Sequence, residues 1–241
     1  MEMKINETLF VLDTETGGLD PNSASIMEIA GVILKEGKKV YEYSSIVKSP
    51  DGNYNCNEFA RKMHGITDEM ANTQGKYPIQ IMNDLKKIRD TFFNGSPMTI
   101  VAHNAFFDIS FVKKMFIDNG SKLSSVESQD DYNYDKIFSR NAIDTATMAL
   151  ILRLQGKLPF DRCSLDNILK FYEIEIPKGD RHSALADATQ TAAAFKLMFN
   201  DLSHNKESFK NNDLSKNKTK NYDEDFDDST KITQYGGCER T

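Results

Sequence analysis

The feature that most constrains this chain is the placement of its acidic residues in three short motifs that lie far apart in the sequence. The first motif is Asp13-Thr14-Glu15, which ends the apolar run Leu9 to Leu12. The second is HNAFFD, from His103 to Asp108, and the third is HSALAD, from His182 to Asp187. A fold that joins the three motifs would therefore bring four carboxylates together, with His182 beside them.

Asp13 and Glu15 are expected on one side of a strand. The apolar run predicts a strand from Thr8 to Asp13, and side chains two positions apart on a strand point to the same face. Both carboxylates would leave the strand end in one direction, so the sequence predicts that they can share a cation.

The other two carboxylates are expected at the beginnings of helices. Asp108 precedes an apolar helical pattern that runs from Ile109 to Asn119 and follows a predicted strand, Met98 to Ala102. Asp187 lies early in a second helical pattern, from Ala184 to Phe199. Each helix would therefore present one acid near its first turn.

His182 is predicted to lie on a loop just before the third motif's helix. Ser183 is a residue type well suited to the N-cap of that helix, and His182 precedes it. A neutral imidazole beside bound metal ions can take a proton from an attacking water. We therefore predict that His182 is the general base.

The ligand types favour magnesium or manganese. Carboxylate oxygens without thiolates suit Mg²⁺ or Mn²⁺ better than zinc. Two such ions about 4 Å apart can hold the attacking and leaving oxygens of a phosphoryl displacement. Two divalent ions would also neutralise the four carboxylates, which otherwise repel one another. The predicted ligands are Asp13, Glu15, Asp108 and Asp187.

The rest of the pattern predicts an α/β fold. Strands Ile26 to Leu34 and Val40 to Val47 flank a turn at Glu36 to Lys39 and form a hairpin. Helices are predicted at Ile79 to Phe93, Thr145 to Leu154 and Leu165 to Tyr172, and a short strand near Ala142 and Ile143. A hairpin followed by helix-linked strands gives a mixed sheet covered by helices, with Asp13 and Asp108 at adjacent carboxyl ends.

The apolar periodicity stops near Phe199, so residues 1–201 are predicted to form one domain. Residues 202–241 are rich in Asn, Lys, Ser and Asp, with a basic part from Lys206 to Lys220 and a mostly acidic part from Asp223 to Asp228. Such a segment cannot bury enough apolar surface to order itself. We expect a disordered polar tail, with a short partner-binding peptide as the alternative.

Charge and cysteine usage limit the class of protein further. A net charge of −6 argues against broad affinity for nucleic acid through a basic surface, so we expect weak binding to a short substrate or delivery by a partner. Cys56, Cys163 and Cys238 form no zinc-type spacing, which favours a reducing compartment. No apolar leader or membrane-length run is present, so a soluble, cytoplasmic protein without membrane contact is expected.

The motifs resemble those of a known family. DTETGGL (Asp13 to Leu19), VAHNAFFDISF (Val101 to Phe111) and RHSALADATQTA (Arg181 to Ala192) are similar to the three motifs of the 3′-to-5′ exonucleases with four acidic ligands and a catalytic histidine. The likeness is to the proofreading (epsilon) family of bacterial replicative polymerase. HGIT (His64 to Thr67), IDT (Ile143 to Thr145) and SLDNIL (Ser164 to Leu169) also match, so the resemblance covers residues 6–200. It implies a ribonuclease-H-like fold with a mixed five-stranded sheet flanked by helices.

The resemblance also implies roles for individual residues. Asp13, Glu15, Asp108 and Asp187 would be the metal ligands, and His182 the general base. The backbone around Thr16 and Gly17, with His64 and Phe107, would hold the 3′-terminal nucleotide. The chain departs from the family at Gly17, where many relatives have a second threonine, and in the polar stretch Ser121 to Ser139, which is longer than usual.

The predicted function is a Mg²⁺ or Mn²⁺-dependent 3′-to-5′ exonuclease acting on single-stranded or frayed DNA ends, in proofreading or repair. Its expected partners are a nucleic acid 3′ end, with DNA favoured over RNA, and a DNA polymerase subunit. One alternative is an RNA 3′-end trimming enzyme, because HSALAD and IDTAT (Ile143 to Thr147) also resemble the transfer-RNA-processing branch of the superfamily. The other is a non-catalytic polymerase-associated adaptor, although such a role does not require the acids or His182.

Overall fold

A five-stranded mixed sheet forms the centre of the computed structural model, which describes residues 5–120, 132–175 and 183–203. The strands lie in the order β3-β2-β1-β4-β5. β1 pairs antiparallel with β2 and parallel with β4, β2 pairs antiparallel with β3, and β4 pairs parallel with β5. The strands are β1 (Thr8–Thr16), β2 (Ile26–Lys35), β3 (Lys38–Ile46), β4 (Met98–Ala102) and β5 (Phe138–Asp144). The predicted mixed sheet is confirmed.

Helices cover the sheet on both faces. The core on one face includes side chains of α3, α4 and α5, and the core on the other includes side chains of α6, α7 and α8. The helices are α1 (Glu58–His64), α2 (Asp68–Gln74), α3 (Pro78–Phe92), α4 (Ala105–Gly120), α5 (Tyr134–Ile137), α6 (Thr145–Leu154), α7 (Leu165–Phe171) and α8 (Ala184–Ser203).

The alternation of side chains along β1 determines which core each residue joins. Phe10 and Leu12 enter the core with α3 and α4, whereas Leu9 and Val11 enter the core with α8. Because the period of a strand is two residues, Asp13 continues the α8 side of the sheet. A central strand buried on both faces thus carries an acid at the end of its apolar run.

The β2–β3 hairpin turns more tightly than the sequence predicts. Glu36 and Gly37 have φ values of 52° and 74°, the positive values that a two-residue type I′ turn requires. Such a turn matches the twist of the strands it joins, so β3 begins at Lys38 rather than at Val40.

Two element ends differ from the prediction because of contacts between distant parts of the chain. β1 does not stop at Asp13 but continues to Thr16, which pairs with Ile26 of β2. α4 begins at Ala105 rather than Ile109. The N–H groups of Asn104 and Ala105 donate to the Asp144 carboxylate at 2.8 and 3.3 Å, and this cap is invisible in the local sequence.

The second half of the polar stretch from Ser121 to Ser139 is part of the core, which the sequence prediction missed. Tyr132, Tyr134, Ile137 and Phe138 are buried, and the ring centroids of Tyr134 and Phe138 lie 5.1 Å apart. β5 consequently begins at Phe138, earlier than the predicted short strand near Ala142 and Ile143. Residues 121–131 lie outside the described residues.

The HGIT segment lies between two short helices that the sequence does not predict. α1 ends at His64, and Gly65 follows in the left-handed conformation with φ 69°. Thr67 then caps α2 by accepting from the N–H of Met70. α1 has no buried residue, so it lacks the apolar period by which a helix is recognised in a sequence.

Cys56 and Cys163 are free thiols, and Cys238 lies outside the described residues. Among the helices that the structure describes, none combines the length and apolar composition needed to cross a membrane.

We expect that removal of residues 204–241 will leave the melting temperature nearly unchanged, because that segment has a composition that cannot form a core. The domain boundary at residue 201 stays a prediction, and the truncation is placed after Ser203 because α8 continues to that residue. Asp201 belongs with the domain, since its carboxylate accepts from the Tyr172 hydroxyl at 2.7 Å and its carbonyl from the Lys157 ammonium.

Thermal unfolding of the full chain and of chains ending at Ser203 and Phe199 tests this boundary. The chain ending at Phe199 should melt at a lower temperature, because it loses both contacts of Asp201. An equally large loss on ending the chain at Ser203 would contradict the prediction.

Candidate active site

Three of the four predicted ligands meet on the α8 side of the sheet. Asp13 and Glu15 extend from β1, and Asp187 extends from the first turn of α8. One carboxylate oxygen from each lies within 4.8 Å of the others, and all three residues are half-buried. In the sequence, Asp187 lies 172 positions after Glu15 and 174 positions after Asp13, and the fold brings the three carboxylates together.

Asp108 approaches the same strand from the opposite side. It is 3% exposed, and the Thr14 hydroxyl donates to its Oδ1 at 2.8 Å. Asp108 is not in the group within 4.8 Å, but its charge acts on both Asp13 and Glu15. Asp108 thus lies next to the other three acids, and the hydrogen bond from Thr14 holds its carboxylate in place.

The sheet topology explains why the acids meet here. In the described chain, β1 pairs with β4 only through Phe10 and Val11, so β1 from Asp13 onward has β2 alone as its recorded neighbour. The first turns of α4 and α8 approach this opening. Carboxyl ends of parallel strands are the usual ligand sites of open α/β sheets, and helix N-termini favour negative charge.

Burial and mutual repulsion raise the pKa of these acids. Burial, followed by the charges of Asp108 and Asp187, raises the pKa of Asp13 well above its usual range. Burial and then the Asp187 charge raise the pKa of Glu15 to about 8. Burial raises the pKa of Asp108 to about 7, although the hydrogen bond from Thr14 acts in the opposite direction.

These residues fit a divalent metal site. The cluster consists of hard oxygen donors, and the carboxyl groups of Asp13 and Glu15 resist ionisation in the absence of a compensating positive charge. Mg²⁺ and Mn²⁺ prefer such oxygen ligands, and a bound cation removes the cause of the raised pKa values. Asp13, Glu15 and Asp187, with Asp108 beside them, could hold such ions.

Of the two histidines in the motifs, His103 lies within the described residues. His182, the predicted general base, lies outside the described residues. His103 is half-buried, and its Nδ1 lies 3.0 Å from the Thr145 hydroxyl, which itself donates to the carbonyl of Ala102 at 3.2 Å. His103 therefore braces the end of β4 against the start of α6, and its omission from the catalytic residues stays a prediction.

Gly17 is held by the segment that precedes α1. Its N–H donates to the carbonyl of Ser25 at 2.7 Å, and its carbonyl accepts from the N–H of Asn57 at 2.8 Å. A Cβ at Gly17 would lie 2.0 Å from the carbonyl oxygen of Asn55, so only glycine fits. The Thr16 hydroxyl donates to the carbonyl of Gly18 at 2.8 Å. A contact between this backbone and a nucleotide stays a prediction, and Gly17 would have to make it through its carbonyl.

His64 and Phe107, the other predicted nucleotide contacts, have neighbours within the protein. The His64 Nδ1 accepts from the N–H of Ile66 at 3.0 Å, which leaves the proton on Nε2, 3.5 Å from the Cys56 sulfur. Burial and then the Arg61 charge lower the pKa of His64. Phe107 is half-buried, with its ring centroid 5.0 Å from that of Phe111. Their roles stay predictions.

Two further carboxylates organise the site, and the sequence prediction gave neither a role. Asp144 caps α6 through the N–H of Ala146 and also accepts from the first residues of α4, the helix that carries Asp108. An aspartate directly before a predicted helix is a typical N-cap residue, so the sequence could have indicated its capping role. Glu28 lies buried in β2 within the apolar run from Ile26 to Leu34. A single acid in such a run indicates a buried carboxylate that requires hydrogen-bond partners.

We expect the metal-free protein to lose stability as the pH rises from about 5 to about 8. A carboxyl group whose pKa is higher in the folded than in the unfolded state binds protons more tightly when folded, so the free energy of unfolding falls as the pH rises between the two pKa values. For Glu15 these values are 4.5 and about 8, and for Asp108 they are 3.8 and about 7.

Thermal melting in a chelator across this pH range measures the effect. Glu15→Gln should flatten the profile, and added Mg²⁺ should raise the melting temperature more at pH 8 than at pH 5. A profile of the parent chain that rises between pH 5 and pH 8, with no change in Glu15→Gln, would contradict the assignment.

Comparison with known proteins identifies the family of this chain. Residues 10–195 match the family described as exonuclease (RNase T), and this range contains all four acids of the three motifs. The PolC-type DNA polymerase III of Ureaplasma parvum is 29% identical over 198 residues, covering 82% of this chain and 12% of that protein. The PolC-type enzyme of Thermotoga maritima is 30% identical over 191 residues, covering 78% and 12%. The chain thus spans about an eighth of the length of these relatives.

Solved structures share the fold. The crystal structure of Escherichia coli exonuclease I in complex with a dT13 oligonucleotide matches with a TM-score of 0.62 and 20% identity, covering 79% of this chain and 40% of that chain. Exonuclease I of Methylocaldum szegediense matches with a TM-score of 0.64 and 19% identity, covering 84% and 44%. These likenesses confirm the ribonuclease-H-like exonuclease fold. Because the family match covers most of the chain and includes every acid of the site, this chain belongs to the exonuclease (RNase T) family, in agreement with its resemblance to the 3′-to-5′ exonucleases with four acidic ligands.

Proposed function

We propose that this chain is a divalent-metal-dependent 3′-to-5′ exonuclease that releases nucleoside monophosphates from single-stranded or frayed DNA ends. The observation that carries the proposal is the convergence of Asp13, Glu15 and Asp187 within 4.8 Å at the carboxyl end of the central strand β1. The chain belongs to the exonuclease family, and a metal-binding acid cluster is suited to the hydrolysis of phosphodiester bonds.

The chain's own residues would divide the work among metal binding, proton transfer and positioning. Bound Mg²⁺ or Mn²⁺ would supply positive charge to the scissile phosphate, and the ligands would be Asp13, Glu15, Asp187 and Asp108. His182 would take the proton of the attacking water. Thr16, Gly17, His64 and Phe107 would form the walls around the terminal nucleotide, with the half-buried ring of Phe107 as an aromatic surface for a base.

Two facts about the relatives support DNA as the substrate. The curated relatives are DNA polymerases by name, and one structural neighbour is an exonuclease in complex with an oligonucleotide of deoxythymidine. An RNA 3′-end trimming activity is the alternative, because a protein distinguishes the two chiefly through contacts to the 2′-hydroxyl. Association with a DNA polymerase subunit, in a proofreading or repair role, is part of the proposal.

A purely structural, non-catalytic adaptor is the less favoured alternative. An adaptor gains nothing from crowded carboxylates, whose burial and repulsion raise their pKa values and oppose folding at neutral pH. The presence of the complete acid set therefore favours an enzyme.

Asp13→Ala and Asp187→Ala should each remove essentially all nuclease activity in the presence of Mg²⁺ or Mn²⁺. Both should leave the fold intact or slightly stabilised in the absence of metal, because each relieves the repulsion among the remaining acids. The measurements are release of nucleotides from a labelled oligonucleotide and thermal melting in a chelator. Glu58→Ala is the matched control, since Glu58 is an exposed carboxylate that pairs with Lys62 on α1.

The His182→Ala variant, measured in the same assay, shows whether His182 acts as the general base or as a metal ligand. We expect a loss in rate of roughly 10² to 10⁴ with metal affinity retained, the usual range for loss of a general base. Retained activity in either aspartate variant would contradict the metal site, and an equal loss of metal affinity in His182→Ala would make that residue a ligand.

The direction and sugar preference of the reaction can be measured on matched single-stranded DNA and RNA of one sequence, labelled at the 5′ end. DNA should be shortened faster and stepwise from its 3′ end, because a frayed terminal nucleotide reaches the acids without bending the strand. A mispaired 3′ terminus should be removed faster than a paired one, because less unpairing energy is required.

Faster shortening of RNA would overturn the DNA assignment and favour the trimming alternative. Internal cleavage products would overturn the exonuclease mechanism. The absence of any cleavage, by a protein that binds metal and retains its melting temperature, would favour the adaptor.

A further inference from the structure

Glu28 is a buried carboxylate beside the acid cluster that the proposed chemistry does not use. It lies on β2, it is 8% exposed, and its cross-strand partner on β1 is Glu15. Like charges in directly opposed strand positions destabilise a sheet, and burial of a charge is costly unless the charge is paired or hydrogen-bonded. The contacts that compensate for this cost therefore indicate what Glu28 does.

Both oxygens of Glu28 accept hydrogen bonds from the protein. Oε1 accepts from the Ser44 hydroxyl at 2.6 Å, and Oε2 accepts from the backbone N–H of Ala184 at 3.1 Å. Ser44 belongs to the neighbouring strand β3, whereas Ala184 is the first residue of α8. Glu28 thus connects the sheet to the beginning of the helix that carries Asp187.

The N–H of Ala184 is one of the helix donors that have no partner within the helix. Ser183 provides for two other donors of the first turn: its hydroxyl accepts from the N–H of Ala186 at 3.2 Å, and its carbonyl accepts from the N–H of Asp187 at 3.0 Å. Ser183 and its neighbours fix the shape of the turn, but only the Glu28 contact among these ties the turn to the sheet. A carboxylate there also interacts favourably with the helix dipole.

We propose that Glu28 is a positioning residue, which anchors the N-terminus of α8 to β2 and thereby sets the distance of Asp187 from Asp13 and Glu15. Its effect on catalysis rests on the proposed nuclease function, whereas its effect on α8 does not. Each oxygen of Glu28 accepts a hydrogen bond from the protein, and Glu28 is not among the acids whose oxygens lie within 4.8 Å of one another, so its role differs from that of the proposed ligands. Asp187 lies one turn beyond Ala184, so a shift of the anchored end displaces the ligand directly.

Two substitutions separate position from charge. Glu28→Gln removes the charge but keeps a carbonyl oxygen that can accept from Ala184, and the Ser44 hydroxyl can reverse to accept from the new amide. Glu28→Ala removes both contacts. Ser44→Ala is the matched control, because it takes away one hydrogen bond of Glu28 and leaves the contact with α8.

Three measurements on the full chain test the proposal: oligonucleotide turnover, Mn²⁺ affinity by titration, and amide exchange of Ala184 followed by NMR. Glu28→Ala should lower kcat about 10²-fold, the size of effect that a displacement near 1 Å produces, with KM little changed. It should also speed exchange of the Ala184 amide, whereas exchange in the last turns of α8 stays unchanged. The kcat of Glu28→Gln and that of Ser44→Ala should each lie within about fivefold of the parent value, a small change compared with that expected for Glu28→Ala.

Two outcomes overturn the proposal. If Glu28→Gln loses as much activity and Mn²⁺ affinity as Glu28→Ala, the charge of Glu28 acts on the metal directly. If Glu28→Ala keeps the slow exchange of Ala184, Glu28 does not anchor the helix. If Glu28→Ala fails to fold, Glu28→Gln and Ser44→Ala decide between charge and position. Should the parent chain prove inactive, the nuclease proposal fails, whereas the exchange measurement still decides the role of Glu28.

Discussion

Repulsion among buried carboxylates is the constraint on which the arrangement of this molecule depends. Asp13 and Glu15 extend from one face of β1, while Thr14 directs its hydroxyl to Asp108 on the other face. Placing negative charges this close in a poorly hydrated site opposes folding unless donors or cations compensate. The residues of β1 that precede the acids are buried in the two apolar cores. Burial of these side chains stabilises the fold and offsets the destabilising repulsion among the acids at the end of the strand.

The two helices that supply the remaining acids are tied to the sheet in similar ways. Asp144, at the end of β5, accepts from the first N–H groups of α4, and Glu28, within β2, accepts from the first N–H group of α8. In each case a carboxylate meets the positive end of a helix dipole and satisfies donors that the helix cannot satisfy itself. The helix ends that carry Asp108 and Asp187 are therefore defined by charge as well as by packing.

Much of the site could be predicted because its signals are local. Alternation places Asp13 and Glu15 on one face, and a helical period following a motif places Asp108 and Asp187 in first turns. The anchoring residues could not be assigned in this way, since Glu28 and Ala184 are separated by 156 positions. The short helix α1 was missed because it buries no residue, and the start of α4 was misplaced because its cap comes from Asp144. Signals that depend on a distant partner are absent from the local sequence.

The turn after β1 indicates what kind of recognition the proposed nucleotide pocket can offer. The N–H of Gly17 is already paired with Ser25, and the Nδ1 of His64 is paired with Ile66. Specific readout of a base requires free donors and acceptors at its edge, whereas stacking on a ring such as Phe107 tolerates any base. A pocket whose polar atoms are engaged by the protein would therefore select the terminal nucleotide by shape and accessibility. An enzyme that must remove whichever nucleotide occupies a frayed end requires selection of that kind.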